Sequence, residues 1–518
     1  MAARFYIQYA PLALVCVAFA TITSSCKRAS ENGSTVQKGW DAENNPDNVR
    51  LPGVPNLVRK FSASPQAGEL PLEGSMAEDK LPWAESYFPS YLGGIANRWN
   101  TPVQKDAKGC ESLYQSVKYN PVNSQQVDAM SKTPHELITL NYKAEGRMFT
   151  GVQLENMKAK VAAKQMSEQE MLAALAELSP AEKYDVFMGH TDSYPLVNWE
   201  RWRVGWEQVA YLQNLKAQGV SAAAWPTQIP TWMGMCMGWA FASINYKEPK
   251  SIILENTTLP ADKQIKVPFG ASDIKALLMF YQRTYSFYKG ILPGDIYKRV
   301  GQRCNDATKK SAACLDTNAG SFHIVLSNLI GLQKKGLVAD LDNGPEVWNF
   351  PIFAYSSKVK KTGFGKTYTP ELIALGMRAE PGTTEIYEVE TQLKVKEETV
   401  QSWNDLSTHA PKNWAVREYK DDGRAANPSK SYKYYIEVNA NGNIVGGEWM
   451  PKSDYPDLLW DRPAAPFRAG DYLSKLEEIY NKSVASGGTG PNFQKFPDPW
   501  AQNTTQSIPE ACRTNLPR

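Results

Sequence analysis

The stretch "TWMGMCMGWAFASI", residues 231–244, sets one cysteine, Cys236, between a loop-forming "PTWMGM" and an apolar, helix-compatible "WAFASI". A thiol opening a helix faces unpaired N–H groups and the positive end of the helix dipole, which lower its pKa and can bind an oxyanion. By base rate an unpaired thiol is more often buried and inert, so the chemical reading needs a base. Four histidines are available. His135 in "SKTPHELITL" follows a proline in a first helical turn and reads as structural, and His409 in "NDLSTHAPKNW" reads as an exposed loop residue. His190, in the aromatic-rich "MGHTDSYPLVNWERW", has only Asp192 beside it and ranks second. His323 opens an apolar run in "NAGSFHIVLSNLIGLQKKGLVADLDNG" that turns at "LQKKG" and returns through "LVADLD", the pattern of a β-hairpin. With the turn near Gln333 and Lys334, strand alternation places Asp340 and Asp342 on one face across from His323. The candidate catalytic set is therefore Cys236 as nucleophile, His323 as base, and Asp340 or Asp342 holding the imidazole tautomer. For both aspartates a solvated strand end is the plain alternative.

The elements that must position these side chains follow from periodicity. "LENMKAKVAAKQMSEQEMLAALAELSPAEKYDVF" has helical spacing and a start signal at Ser179, which predicts a helical pair over ~150–190. "DIKALLMFYQRTYSFYKG" predicts a helix capped by Ser272 or Asp273 and ending near Gly290. After Phe364 the pattern becomes alternating strands, "TEIYEVETQLKV" and "SYKYYIEVNANGNIVGGEW", with a turn at Asn441 and Gly442. The expected fold class is α+β: a Cys-bearing helix packed on an antiparallel sheet, with an N-terminal helical part and a β-rich C-terminal part. The expected divisions are an export signal over 1–26, a flexible tether over 27–80, a mainly helical part over 81–200, a catalytic core over 201–364, a β-rich part over 365–465, and a helix and loop-rich tail over 466–518.

The N-terminus supports export. Arg4 precedes an apolar run from Leu12 to Ile22, too short for a comfortable membrane span, and small residues lead to Cys26 in the manner of a lipoprotein box. Cleavage with lipid on Cys26, or simple secretion, would place the protein in the cell envelope or outside. Cys16 then belongs to the signal, and five cysteines remain. Cys304 and Cys314 bracket a polar loop that a disulfide would close, and Cys110 with Cys512 is a second preferred pair, leaving Cys236 free. The charge balance, 57 basic against 54 acidic residues with no basic block, gives no support to a nucleic-acid partner. Phosphate-loop, dinucleotide, zinc and calcium motifs are all missing from the sequence, so no cofactor is expected.

Cys at a helix start, then His, then Asp, is the chain order of papain-like and transglutaminase-like thiol enzymes. Over roughly residues 80–465 the chain also resembles the transglutaminase elicitors of oomycetes and their bacterial relatives. The blocks that carry the likeness include "LPWAESYFPSYLGGIANRW" (81–99), "EKYDVFMGHTDSYPLVNWE" (182–200), "WMGMCMGWAFASI", "PFGASDIKALLMFYQ" (268–282), "CLDTNAGSFHIVLSNLIG" (314–331), "EVWNFPIFAY" (346–355) and "EVNANGNIVGGEWMPKSDYPDLLW" (437–460). The resemblance implies acyl transfer from a glutamine side chain to an amine, with the nucleophile at Cys236 and the base at His323. Met237 stands where the family has histidine after the nucleophile, and Phe350 replaces the glutamine of the "VWNQP" peptide that plants perceive, so elicitor activity does not carry over.

Three function classes follow: a protein-glutamine γ-glutamyltransferase or deamidase, a papain-like envelope peptidase, and a non-catalytic envelope-binding protein. The first takes a protein or peptide with an accessible glutamine and a lysine or polyamine as acceptor. It touches a membrane only through lipid on Cys26. In it the Cys236 N–H and a donor such as Gln228 or Trp232 hold the oxyanion. The aromatic rings of Trp232 and Trp239 read either as walls that exclude water or as core.

Overall fold

The computed structural model describes residues 40, 43–50, 56–97, 103–105, 111–113, 117–119, 138–140, 151–225, 229–230, 232–288, 298–301, 317–341, 347–398, 429–467 and 471–485. The export signal, Cys26, both expected disulfide pairs, His135, His409, Asp342 and Gln228 lie outside the described residues.

Helices dominate the first half from residue 151 onward. They are α1 (Gly151–Ala162), α2 (Glu168–Ala176), α3 (Pro180–Phe187), α4 (Pro195–Ala217), α5 (Cys236–Asn245), α6 (Ala271–Tyr288) and α7 (Ala319–Leu326). Capping boxes at Ser167 with Glu170 and at Ser179 with Glu182 start α2 and α3, as the start signal at Ser179 predicts. Where two helices were expected over ~150–190, these caps divide the segment into three. α4 takes its cap from a distance: the Asp185 carboxylate accepts the N–H groups of Leu196 and Val197 at 3.0–3.1 Å. At α6, Asp273 bonds back to the Gly270 N–H at 2.7 Å and pairs with buried Lys183 of α3 at 2.6 Å. None of the described helices is long and apolar enough to cross a membrane.

The second half is built on one antiparallel eight-stranded sheet. Its strands are β1 (Glu73–Ser75), β2 (Lys298–Val300), β3 (Leu337–Asp340), β4 (Asn349–Lys361), β5 (Thr383–Val395), β6 (Ser429–Asn439), β7 (Ile444–Trp449) and β8 (Leu458–Asp461). The order is β7-β6-β5-β4-β3-β8-β2, with β1 on β4 alongside Ala354–Ser356, beyond the stretch paired with β3. The strands assigned to a catalytic core (β3, β4) and to a separate β-rich part (β5–β8) thus share one ladder. The predicted Asn441–Gly442 turn joins β6 to β7, with Gly442 at φ 76°.

Two large apolar cores and one small one, around Tyr368 and Met377, are present among the described residues. One large core gathers α3–α6 around Trp83, Trp239 and Phe280; the other packs α7 on the sheet through Phe322, Tyr434, Ile436 and Trp449. The mixed helix and antiparallel sheet agree with the expected α+β class. One boundary differs. The tether expected over 27–80 contributes Val49, Leu57, Phe61 and Leu70 to the second core, and its residues 59–61 bond to Gly442 and Ile444 beside the β6–β7 turn. Apolar spacing in "NVRLPGVPNLVRKF" had to outweigh its prolines for this to be read. The part expected to be mainly helical over 81–200 is described at 81–97, in four three-residue strands and from 151 onward; the described residues of 81–150 form short 3-10 turns and paired strands, and the described residues after 151 are mostly helical.

Candidate active site

Cys236 is the first residue of α5. The loop before it is braced by backbone bonds from the Met235 N–H to the Tyr87 carbonyl at 2.6 Å and from Ser90 to Met233 at 2.8 Å. Within the helix, Trp239 donates to the Trp83 carbonyl at 3.1 Å, and Trp83 donates to Tyr246 at 3.0 Å. Trp83, Tyr87 and Ser90 of the block 81–99 therefore brace the thiol-bearing helix. Trp239 is fully buried and belongs to the core. α5 lies so close to α6 that a Cβ on Gly238 would stand 2.5 Å from the Met279 carbonyl oxygen.

The sulfur meets the start of β4. Its thiol donates to the Val347 carbonyl at 3.7 Å, and the Asn349 side chain donates to it from Nδ2 at 3.5 Å. The Asn349 backbone N–H also bears on it. Asn349 is 3% exposed and Cys236 9%. Asp340 pairs in register with Asn349 across β3–β4, and its Oδ1 accepts the Trp348 N–H at 2.9 Å, fixing the backbone next to Asn349. Trp348 meets Tyr87 edge to face at 6.2 Å.

Burial, and next the negative charge of Glu398, push the Cys236 thiol up to about 11, against the hydrogen bonds of Asn349 and the positive charge of Arg283. The helix start was expected to lower this pKa. Desolvation outweighs the dipole because the sulfur is almost fully removed from water. Glu398 follows the end of β5, where Lys396 N–H bonds Pro351 at 3.0 Å; continued, this register runs past Phe350 toward Asn349. Arg283 of α6 pairs with Glu207 of α4, which is held in turn by Ser90 and Arg203. A chain of buried charges thereby links α4, the 87–97 brace and α6 behind the thiol.

His323 is elsewhere. It sits in α7, not on a strand: Asn318 caps that helix by accepting the Gly320 and Ser321 N–H groups, and a π-helical turn, Ser327–Leu332, continues it. Its Nδ1 lies 2.8 Å from the Tyr434 hydroxyl, its Nε2 has no hydrogen-bond partner, and its ring meets Phe61 at 5.3 Å. Neither nitrogen bonds Cys236. Burial holds the imidazole down to about 3, so it stays neutral at working pH and is a weak base. The hairpin expected from His323 to Asp342 is therefore corrected to helix, π-turn and strand β3. His190 is exposed, beside Tyr472, with no bond to the thiol. Of the expected set, the structure brings Cys236 and Asp340 to one corner of the sheet and leaves His323 in the second core.

Sequence reasoning missed Asn349 and Glu398. A signal existed for the first: asparagine is disfavoured in strands, yet it opens the apolar "NFPIFAY". Among the described residues no group of three or more His, Cys, Asp or Glu is placed to hold a metal ion.

The stretch from the loop before Cys236 through β8 coincides with a family match, the transglutaminase elicitor model over residues 221–470. Over residues 221–470 the chain is similar to the transglutaminase elicitors. The sulfur and its partners Val347 and Asn349 all fall inside this segment. The fold is also similar to the crystal structure of the GP42 transglutaminase from Phytophthora sojae, with 18% identity and a TM-score of 0.45, over 83% of this chain and 94% of that one. No curated protein matches the sequence.

Proposed function

We propose that this protein is a thiol acyltransferase that moves the γ-acyl group of a protein-bound glutamine to a primary amine, or to water, through a thioester on Cys236. The observation that carries the reading is the Cys236 sulfur at a helix start, within the family segment, held by Val347 and Asn349.

With the thiol near 11, the resting enzyme is neutral sulfur, and forming thiolate at pH 7 costs about 5 kcal/mol. Proton removal must accompany attack. Since His323 is turned into the core, the carboxylate whose charge bears on the thiol, Glu398, is the group that takes the proton. The sulfur then bonds to the γ-carbon and the carbonyl electrons move to oxygen. That oxyanion meets the N–H groups of the first turn of α5, which have no acceptor within the helix. Collapse breaks the C–N bond, and ammonia leaves with the proton returned by Glu398. A lysine amine or water attacks the thioester and restores the thiol. Export and lipid on Cys26 belong to the same reading and rest on the N-terminal sequence.

The test is incubation of the mature protein with a glutamine peptide and a fluorescent primary amine, with Cys236→Ala as control. Label on the peptide with wild type alone supports the acyltransferase. Cleavage of the peptide backbone instead supports the papain-like peptidase, and unchanged labelling by Cys236→Ala would sink the thiol mechanism.

A further inference from the structure

We propose that the Asn349 carboxamide is the specificity-determining group of the acyl site: its Oδ1 accepts an N–H of the substrate's γ-carboxamide and holds the leaving nitrogen. This rests on the acyltransferase reading above and names what that site recognises. Asn349 is 3% exposed, and the two ends of its amide are used unequally. Nδ2 is on the Cys236 sulfur at 3.5 Å, while Oδ1 has no hydrogen-bond partner. Buried carbonyl acceptors are almost always satisfied, so one left open beside a nucleophile calls for a ligand donor.

The geometry restricts what that donor is. A carbonyl carbon in position for attack lies ~3–3.5 Å from the sulfur, which brings its substituents within reach of an amide already bonded to that sulfur. A carboxamide carries one group that only accepts, the oxygen, and one that donates, the NH2. The acceptor matches the N–H groups at the start of α5, and the donor matches Asn349 Oδ1. A glutamate carboxylate or an ester places a bare oxygen against Oδ1 and is disfavoured by lone-pair repulsion. The Glu product of deamidation is rejected for the same reason. In the second half-reaction the incoming amine occupies the vacated position and donates one N–H to Oδ1, which aims its lone pair at the thioester carbon. Asn349 gives and takes no proton in either step; the C–N bond breaks and forms as described above.

The experiment uses the full mature chain with two acyl donors: a glutamine peptide, and the same peptide as a γ-p-nitrophenyl ester, whose leaving group has no N–H. In Asn349→Ala, kcat/KM for the glutamine peptide should fall roughly 10-fold further than for the ester. Equal losses on both donors would show that Asn349 only supports the sulfur and would overturn the inference. So would an undiminished rate on glutamine. A wild-type protein that is acylated by the ester yet inert to glutamine would sink the acyltransferase reading and this inference together. Should Asn349→Ala fail to fold, wild type decides: the glutamine peptide should protect Cys236 from alkylation more than its γ-N,N-dimethylamide does, and equal protection would overturn the assignment.

Discussion

Asn349 holds the Cys236 sulfur from across the molecule: Nδ2 lies 3.5 Å from Sγ, although 113 residues separate them in sequence. The contact joins the first residue of α5 to the first residue of β4. Strand β3 fixes the same corner, through the Asp340 carboxylate on the Trp348 N–H. The nucleophile is thus positioned by the place where the helical half meets the sheet.

The thiol held near 11 has a direct readout. Iodoacetamide labelling of Cys236 should quicken steadily from pH 7 to beyond 10, because the thiolate is the reacting form. Glu398→Gln removes the negative charge that raises the thiol, so the inflection should move to lower pH while amine incorporation falls. An unshifted inflection in Glu398→Gln would remove that carboxylate from the mechanism.

His323 decides between two readings of the site. Buried between Phe61 and Tyr434, its replacement by alanine leaves a cavity and should cost about 2–4 kcal/mol in denaturant melts. The pH profile of Cys236 alkylation should not change. A stable His323→Ala protein that has lost amine incorporation would restore the histidine as the base.

Gly238 sets the separation of α5 and α6. A methyl there meets the Met279 carbonyl oxygen at 2.5 Å, and backbone cannot yield cheaply. Gly238→Ala should cost about 1–3 kcal/mol and lower activity by displacing the helix that carries the thiol. Full stability with full activity would contradict the tight contact.

Asp185 ties α3, the start of α4 and the turn at Tyr472 together. Burial raises its carboxyl to about 7, outweighing its three donors, whereas the unfolded chain ionises near 3.8. The folded state therefore keeps the proton over a range in which the unfolded state has lost it. The associated stability is fully present below pH ~4 and disappears as pH rises through about 7, a change of at most about 4 kcal/mol. Asp185→Asn does not titrate, so the gap in melting temperature between it and wild type should shift between pH 4.5 and 7.5 in the variant's favour. A gap that stays constant would show that the carboxyl does not titrate in this window.

What the sequence by itself determined is local. The Ser179 and Glu182 cap, the Asn441–Gly442 turn and the placement of Cys236 at a helix start each depend on residues within one turn of one another, and each is found as read. The apolar run after His323 was ambiguous on those terms, because a helix buried on every side and a buried strand share the same continuous pattern. Packing resolved it: Asn318 caps the helix, and Gly320 and Gly447 let α7 approach β7 closely, with a Cβ on Gly447 falling 2.7 Å from the Gly320 nitrogen. Only the tertiary structure could choose the partners of the sulfur, since Val347, Asn349 and Glu398 reach it through strand register more than a hundred residues away. It also decided the direction of the thiol pKa. The helix dipole is written into a few neighbouring residues, but desolvation depends on every element packed over the site, and at Cys236 it is the larger effect.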